Sequence, residues 1–145
     1  MRTIPTSSDL ASRLRVDIAR VARRLRQEAG APLSPSQTAA LVTIERHGPL
    51  TPSELATRER VQRPTVTRVL GRLEEAGLIL RAGDPSDRRS CLLTVSPEGS
   101  ELLAAVRTRK DAYLARRLES LDADDRATLD RAAAILERML EEGGE

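Results

Sequence analysis

The sequence predicts a mainly α-helical fold with one small β-hairpin, and three observations support this assignment. Apolar residues recur at helical spacing over most of the chain. Residues 79–95 instead form two short β-prone runs around a Gly-Asp-Pro turn signal. The starts of several predicted helices carry a hydroxyl or carboxylate cap, often followed by proline. At 145 residues the chain is long enough to bury a core, so we expect one domain over residues 1–145.

The composition argues against several classes of protein. No run of about 18 apolar residues predicts a membrane span. The first residues, MRTIPTSSDLASRL, lack the apolar region of a signal peptide, so we expect a cytoplasmic protein. Cys91 is the only cysteine, which excludes an intramolecular disulfide and a cysteine-rich zinc site.

The first predicted helix covers residues 8–27 and has a single apolar stripe. Its stripe residues follow one another at spacings of three or four: Leu10, Leu14, Ile18, Val21 and Leu25. A helix with one such stripe needs a partner to cover it. Gly30 and Pro32 then end the helix and turn the chain.

The later helix starts are marked by capping chemistry. Ser34-Pro35-Ser36-Gln37 and Thr51-Pro52-Ser53-Glu54 both match a capping box, with proline at the first helical position. Ser96 and Asp122 open the last two helices by the cap alone. The predicted helices are 35–47, 52–59, 63–76, 97–119 and 122–142, and the predicted strands are 79–82 and 91–95.

The helix predicted at 63–76 separates an apolar face from a polar one. Its apolar residues are Val66, Val69, Leu70 and Leu73. Its polar face carries Arg63, Thr65, Thr67, Arg68 and Arg72. Gly77 follows the last turn, where it can take the left-handed conformation that ends a helix. A basic hairpin with the tip sequence DPSDRR comes next, so this part of the chain has the layout of a winged helix-turn-helix.

Charge is distributed unevenly although the net charge is only +2. Residues 1–30 and 58–72 each carry a net charge of +4, and residues 119–145 carry −6. A charged run is usually a solvated face, which is our interpretation of residues 1–30. Residues 58–72 combine arginines with threonines on one helix before a basic turn, so this segment favours nucleic acid as its partner.

Three strings in this order resemble the multiple-antibiotic-resistance regulator (MarR) family of transcription factors. They are TVTRVLGRLEEAGLI, DPSDRR and LTVSPEG, and the resemblance extends over nearly the whole chain. It implies a winged helix-turn-helix lobe at 34–96 with long dimerisation helices at 8–30 and 97–142. It also implies a transcriptional regulator that binds a pseudo-palindromic duplex as a homodimer, which we expect to be a repressor.

In a helix-turn-helix, the second helix enters the major groove with its N-terminal residues against the base edges. This geometry places Arg63, Thr65, Thr67 and Arg68 at the bases. Arg72 lies one turn deeper, where it would contact a phosphate or pair with an acidic neighbour such as Glu75.

We expect the two neighbouring arginines of the wing to have different roles. Adjacent side chains of a β-hairpin point in opposite directions, so Arg88 and Arg89 should not both enter one groove. In the resembled family the arginine after the second aspartate commonly reaches the minor groove, and this position is Arg88. We expect Arg89 to pair with Asp84 or Asp87 and so to stabilise the turn.

The resemblance also implies a partner chain and leaves open a small-molecule effector. The apolar faces of the first, fifth and sixth helices would interlock with those of a second copy. A small apolar or anionic effector would bind in a crevice between the dimer helices and the DNA-binding lobe. Tyr113 is the only aromatic residue, so such a crevice would offer almost no aromatic stacking.

The sequence gives no basis for catalysis. It contains no glycine-rich phosphate loop, no His and Cys set with metal spacing, and no nucleophile beside a base, so we expect no enzyme, no cofactor and no metal. His47, the only histidine, is interpreted as a helix-terminal residue. Two alternatives remain. One is a winged-helix protein-interaction module that uses the acidic C-terminal helix, and the other is a regulator that senses oxidants through Cys91.

Overall fold

The computed structural model of the chain describes residues 3–30 and 32–143. Six helices and one hairpin follow one another, which confirms the mainly α fold with a β-hairpin. The elements are α1 (Ser7–Ala29), α2 (Pro35–His47), α3 (Pro52–Glu59), α4 (Arg63–Glu75), β1 (Ile79–Asp84), β2 (Asp87–Val95), α5 (Pro97–Glu119) and α6 (Ala123–Glu142). The helix ends lie within two residues of their predicted positions. None of the helices in this described part has the length and apolarity needed to cross a bilayer.

The chain divides into two compact units. One unit, the lobe, is the continuous segment from Ala29 to Thr108. The other, the helical unit, combines the N-terminal segment up to Glu28 with the C-terminal segment from Arg109. The segment 34–96 that the sequence predicts as the winged helix-turn-helix lies inside the lobe.

The lobe has a closed aliphatic core, because its helices and hairpin turn their apolar faces toward one another. Its most deeply buried side chains are Leu41, Ile44, Leu50, Leu55, Leu70, Leu73 and Leu93. The chain contains no phenylalanine or tryptophan, so leucine, isoleucine and valine fill this core. Complete burial of each such side chain contributes about 1.5–3 kcal/mol. This core fixes α4 by its apolar face and leaves the opposite face to solvent.

Capping side chains define the helix starts in the lobe largely as predicted. Ser34 and Gln37 form a complete capping box at the start of α2. Thr51 accepts a hydrogen bond from the Glu54 N–H at 3.2 Å, although the reciprocal bond from the Glu54 side chain is not among those the structure describes. Ser96 is buried, and its hydroxyl donates to the Gly77 carbonyl at 2.6 Å and accepts from the Gly99 N–H at 3.1 Å. That one hydroxyl therefore ties the end of α4 to the start of α5.

The hairpin is longer and less regular than the sequence predicts. Its strands extend to Asp84 and begin at Asp87, so only Pro85 and Ser86 lie between them. Pairing is antiparallel and regular from Ile79–Val95 to Gly83–Cys91, but the next pair is Asp84–Asp87. Residues 88–90 therefore form a bulge on β2. A single residue of the α2–α3 connection, Leu50, adds an antiparallel bridge to Leu93.

The helical unit contrasts with the lobe because none of its described residues is buried. The predicted stripe of α1 is exposed, with Leu10, Ile18 and Val21 at 43%, 49% and 50%. On α6, Leu129 and Leu140 are exposed at 47% and 77%. A single chain thus leaves the apolar faces of these helices uncovered.

Candidate nucleic-acid interface

The polar face of α4 is exposed because the opposite face is anchored in the core. Val66, Leu70 and Leu73 are each 3% exposed or less. The helix ends at Gly77, whose φ of 71° is the left-handed conformation predicted for it. The N–H groups of Gly77 and Leu78 bond back to the carbonyls of Glu74 and Leu73, which closes the last turn. The helix is therefore fixed at its apolar face and at its C-terminal end.

The connection between α3 and α4 is a tight turn made by an arginine. Arg60 has a φ of 53° and ψ of 44°, the left-handed conformation that glycine and asparagine prefer. The Arg60 N–H bonds to the Thr57 carbonyl at 3.3 Å, and the Val61 N–H bonds to the Ala56 carbonyl at 3.1 Å. Arg60 could not be predicted from the sequence, because an arginine does not signal a left-handed turn.

Two of the predicted DNA-binding residues, Arg68 and Arg72, have exposed side chains with no hydrogen bond or ion pair to any residue that the structure describes. The ion pair considered between Arg72 and Glu75 is not formed. Both guanidinium groups are therefore available to an external acceptor. A phosphate or a guanine edge is the kind of acceptor that arginine binds through two parallel hydrogen bonds.

Of the other three predicted residues on α4, Arg63 and Thr67 form hydrogen bonds within the protein. Arg63 donates from Nη1 to the Ser53 hydroxyl at 2.9 Å. The Thr67 hydroxyl donates to the Arg63 carbonyl at 3.0 Å. Thr65 is half-buried and lines a pocket between helices. Ser53 thus orients the first arginine of α4. This contact could not be predicted from the sequence, because no pattern links two positions that are ten residues apart.

The wing presents Arg88 in the bulge of β2. Its side chain is exposed and makes no hydrogen bond or ion pair with the described part of the chain. The bulge interrupts the strict alternation of side chains on which the prediction for Arg88 and Arg89 was based. Arg88 is nevertheless free to contact a ligand.

The aspartates of the wing hold the turn by hydrogen bonds to backbone groups rather than by ion pairs. Asp84 Oδ1 accepts from the Ser86 N–H at 3.0 Å and from the Ser86 hydroxyl at 2.8 Å. These two bonds, the backbone one first, lower the pKa of Asp84 below its usual value. Asp87 Oδ1 accepts from the Arg89 N–H at 2.9 Å. The expected pairing of the Arg89 guanidinium with Asp84 or Asp87 is absent, because both carboxylates bond locally to the main chain.

Cys91 lies at the start of the regular part of the hairpin and is half-buried. The Arg81 guanidinium donates from Nη1 to Cys91 Sγ at 3.5 Å and from Nε to Glu74 Oε2 at 2.9 Å. Arg81 therefore links the hairpin to α4. The thiol has one cationic neighbour, and within the described residues no group of His, Cys, Asp and Glu could hold a metal ion.

The single aromatic residue lies in the helical unit among arginines. The Arg117 Nε donates to the Tyr113 hydroxyl at 3.2 Å, and its guanidinium lies 5.4 Å from the ring centroid. Arg117 and then Arg24 lower the pKa of the Tyr113 phenol by hydrogen bonding. Arg116 joins them around a concavity of about 370 Å³ that is also bordered by Glu28 and Ser120. This concavity is cationic.

Comparisons with known proteins agree with the fold and the polar helix. A model of the MarR family matches residues 33–91. A Mycobacterium bovis protein named an uncharacterized HTH-type transcriptional regulator is 38% identical over 140 residues, which are 96% of this chain and 98% of the relative. A crystal structure of a protein from Pseudomonas aeruginosa PA01, described as a transcriptional regulator, has 37% identity and a TM-score of 0.82 over 93% of this chain and 97% of that one.

A third likeness is to a structure of Streptococcus pneumoniae FabT in complex with DNA. It has 19% identity and a TM-score of 0.70, and it covers 94% of this chain and 99% of FabT. At this identity the likeness concerns the fold alone. The Mycobacterium bovis relative matches the chain nearly end to end, the family model matches residues 33–91, and a hairpin follows α4. The chain therefore belongs to the MarR family of winged helix-turn-helix transcriptional regulators.

Proposed function

We propose that the chain is a sequence-specific DNA-binding repressor that acts as a homodimer on a pseudo-palindromic duplex. The observation that carries this proposal is a pair of unpartnered guanidinium groups, those of Arg68 and Arg72, on the exposed face of α4. The wing adds a third unpartnered arginine, Arg88, a short distance along the chain. Exposed arginines with no internal acceptor are suited to phosphates and base edges.

Each residue has a role that follows from its position. Arg68 lies in the first half of α4, the part of a recognition helix that meets base edges, and has the reach for guanine O6 and N7. Arg72, one turn further, would bind a phosphate. Arg63 and Thr67 lie on the first turns of the same face, with Arg63 oriented by Ser53. Arg88 would enter the minor groove, where a narrow groove attracts arginine.

The DNA complex of FabT supports this proposal, because that protein shares the fold and is described as bound to DNA. Net charge supports it as well. Residues 58–72 carry +4, so the segment that contains the turn and most of α4 would attract a polyanion. The acidic residues of the chain are concentrated elsewhere, in residues 119–145.

The exposed apolar faces of the helical unit support the homodimer. Eleven of the large hydrophobic side chains that are exposed belong to this unit, among them Leu10, Leu14, Ile135 and Met139. Those four line an apolar groove of about 450 Å³ between α1 and α6. Contiguous exposed apolar surface of this kind marks an association site. We propose a second copy of the chain as its occupant.

An effector is a further part of the proposal. The concavity around Tyr113, with Arg24, Arg116 and Arg117, favours an anionic group. A small apolar anion could thus bind the helical unit and release the protein from DNA. Titration of the protein–duplex complex with benzoate tests this step. We expect benzoate to release the protein from the duplex at concentrations at which chloride has no effect.

Selection of bound sites from random duplexes is the experiment that tests DNA recognition. We expect an enriched inverted repeat, bound with an affinity that falls steeply as salt rises. In vitro transcription from a template that carries the selected site should then show less transcript when the protein is added. Failure to retain any duplex at low salt would contradict the proposal and would favour a winged-helix protein-interaction module instead.

A further inference from the structure

The lobe contains a pocket bordered by α2, α3 and α4, with a volume of about 330 Å³. Its floor is formed by the buried side chains of Ala40, Leu55 and Val66. Ala39 and Val69 also line it. Its volume lies at the lower end of the range of roughly 300–1,000 Å³ typical of small-molecule sites.

One charged group, Glu59, lines this apolar pocket. Its side chain is half-buried, and Oε1 accepts a hydrogen bond from the Thr43 hydroxyl. None of the residues that the structure describes forms a salt bridge with Glu59, although Arg58 and Arg60 flank it in the chain. The Glu59 carboxylate therefore places one negative charge in a mostly apolar lining, and an ammonium group in the pocket would pair with it.

We propose that this pocket, the α2–α4 pocket, binds a small organic cation. The hydrocarbon part of such a ligand packs on Ala39, Leu55 and Val69, and its protonated nitrogen donates to the Glu59 carboxylate. A charge-assisted hydrogen bond of this type is about twice as strong as a neutral one. The same carboxylate repels anions. The site therefore differs in place and in charge preference from the effector site proposed above for the helical unit.

Ligand binding here would act on DNA binding, a step that depends on the function proposed above. Thr65, Val66 and Val69 line the pocket, and all three belong to α4. A ligand held against these three residues would shift the position of α4, the recognition helix. It would also contact the side chain of Thr65. Binding of the cation should therefore weaken binding of the duplex, and by thermodynamic linkage the duplex must weaken binding of the cation by the same factor.

Three probes of matched size test the charge preference: cyclohexylmethylamine, cyclohexylmethanol and cyclohexanecarboxylate. Isothermal titration of the full chain at pH 7 should give an affinity for the amine at least tenfold above that for the carboxylate. Glu59→Gln keeps the acceptor for Thr43 and should reduce the affinity for the amine about tenfold, to the level of the alcohol. Glu101→Gln, an exposed position on α5, is the matched control and should leave all three affinities unchanged. No binding of the amine, or equal binding of amine and carboxylate, would overturn the proposal.

Filling the pocket tests its location. Ala39 is exposed on α2 at the edge of the pocket, so Ala39→Leu should occupy the space and reduce amine affinity at least tenfold without loss of folding. Ala104→Leu, at an exposed position on α5, is the control for the added side chain. Thermal unfolding of both variants verifies that they fold. Unchanged amine affinity in a folded Ala39→Leu variant would mean that the amine binds elsewhere.

Titrations with and without duplex separate this proposal from the function on which its last step depends. If the amine binds the free protein but the protein binds no duplex, the proposed function fails and the pocket stands. If the amine and the duplex both bind, and each weakens the binding of the other by the same factor, the linkage to DNA is established. If both bind without affecting each other, the regulatory step is wrong.

Discussion

Arg68 is the residue on which sequence preference should depend most directly. Its guanidinium is exposed and has no partner in the described structure. Replacing Arg68 by Ala should cost about 1–3 kcal/mol per half-site and relax the preference at one base position, because a bidentate contact to guanine is lost. Competition assays with duplexes substituted at each position measure this. Equal weakening for every sequence would show that Arg68 contacts only phosphate.

Substitutions of Arg60 test whether the turn between α3 and α4 is under strain. A left-handed conformation costs a residue with a Cβ about 1–2 kcal/mol, whereas glycine loses about 0.5–1 kcal/mol of chain entropy. Arg60→Gly should therefore unfold with a free energy roughly 0.5–1 kcal/mol higher than Arg60→Ala, which loses the same guanidinium. Urea denaturation of the two variants gives the difference directly. A glycine variant that is less stable than the alanine variant would show that the strain in the turn is smaller than the chain entropy that glycine loses.

At the level of single residues, the sequence predicts best where one side chain acts on its own backbone. Ser34, Asp122 and Gly77 have the capping roles that their residue types predict. Arg60 and Ser53 were not predicted. The left-handed residue is usually glycine, so arginine gives no signal, and the contact of Ser53 with Arg63 depends on the angle between two helices.

The wing should lose DNA affinity when its unpartnered arginine is removed. Arg88→Ala should weaken binding sharply and lower the slope of log affinity against log salt by about one unit per lost contact, while the free energy of unfolding stays nearly constant. Arg89→Ala is the neighbouring comparison, because the Arg89 guanidinium is not paired with Asp84 or Asp87. A salt series on both variants tells which arginine contacts phosphate. An unchanged slope for Arg88→Ala would exclude it from the interface.

Two substitutions of Asp87 test the same wing again, because together they separate the effect of its hydrogen bond from the effect of its negative charge. Asp87→Ala removes the acceptor for the Arg89 N–H and should weaken duplex binding, even though it also removes a negative charge. Asp87→Asn keeps an acceptor oxygen and should bind at least as tightly as the parent. Tighter binding by Asp87→Ala would mean that the aspartate is only a repulsive charge.

The junction between the hairpin and α5 should tolerate no side chain at Gly99. A Cβ there would lie 2.3 Å from the Leu78 carbonyl oxygen and 2.7 Å from Val95 Cγ1. Gly99→Ala should therefore lower the free energy of unfolding by about 1–3 kcal/mol. Gly71→Ala is the matched control, since no atom beyond its own stretch of helix lies within 4 Å of its Cβ position and alanine should raise helix stability by about 0.5–1 kcal/mol. Chemical denaturation that gave both variants the same stability would contradict this packing.

At the level of elements, helices are predicted more accurately than the hairpin. The apolar stripes and caps of α2, α3 and α5 locate both ends of each helix. The strands are longer than predicted because Asp84 and Asp87 pair across a two-residue turn and belong to the ladder. The bridge from Leu50 to Leu93 could not be predicted from hydrophobic periodicity, because it involves a single residue of the connection between α2 and α3.

For the whole molecule, the exposed faces of the helical unit predict a symmetric assembly with a defined spacing. Two recognition helices that reach successive major grooves lie about 34–36 Å apart, so half-site centres should be one helical turn apart. Inserting five base pairs between the half-sites should abolish high-affinity binding, and inserting a full turn should restore part of it. Sedimentation at micromolar concentration should give twice the mass of the chain. A monomer that binds one half-site with full affinity would contradict this arrangement.

The division of the chain also determines the order in which its parts become available during translation. The lobe is one continuous segment, so its sequence is complete once Thr108 has been added. At a rate of about 5–20 residues per second, α6 is completed roughly 2–7 s later. Until then α1, made first, lacks the helix with which it forms a groove. The lobe therefore needs only one continuous stretch of the chain in order to fold, whereas the helical unit needs α6 as well as α1.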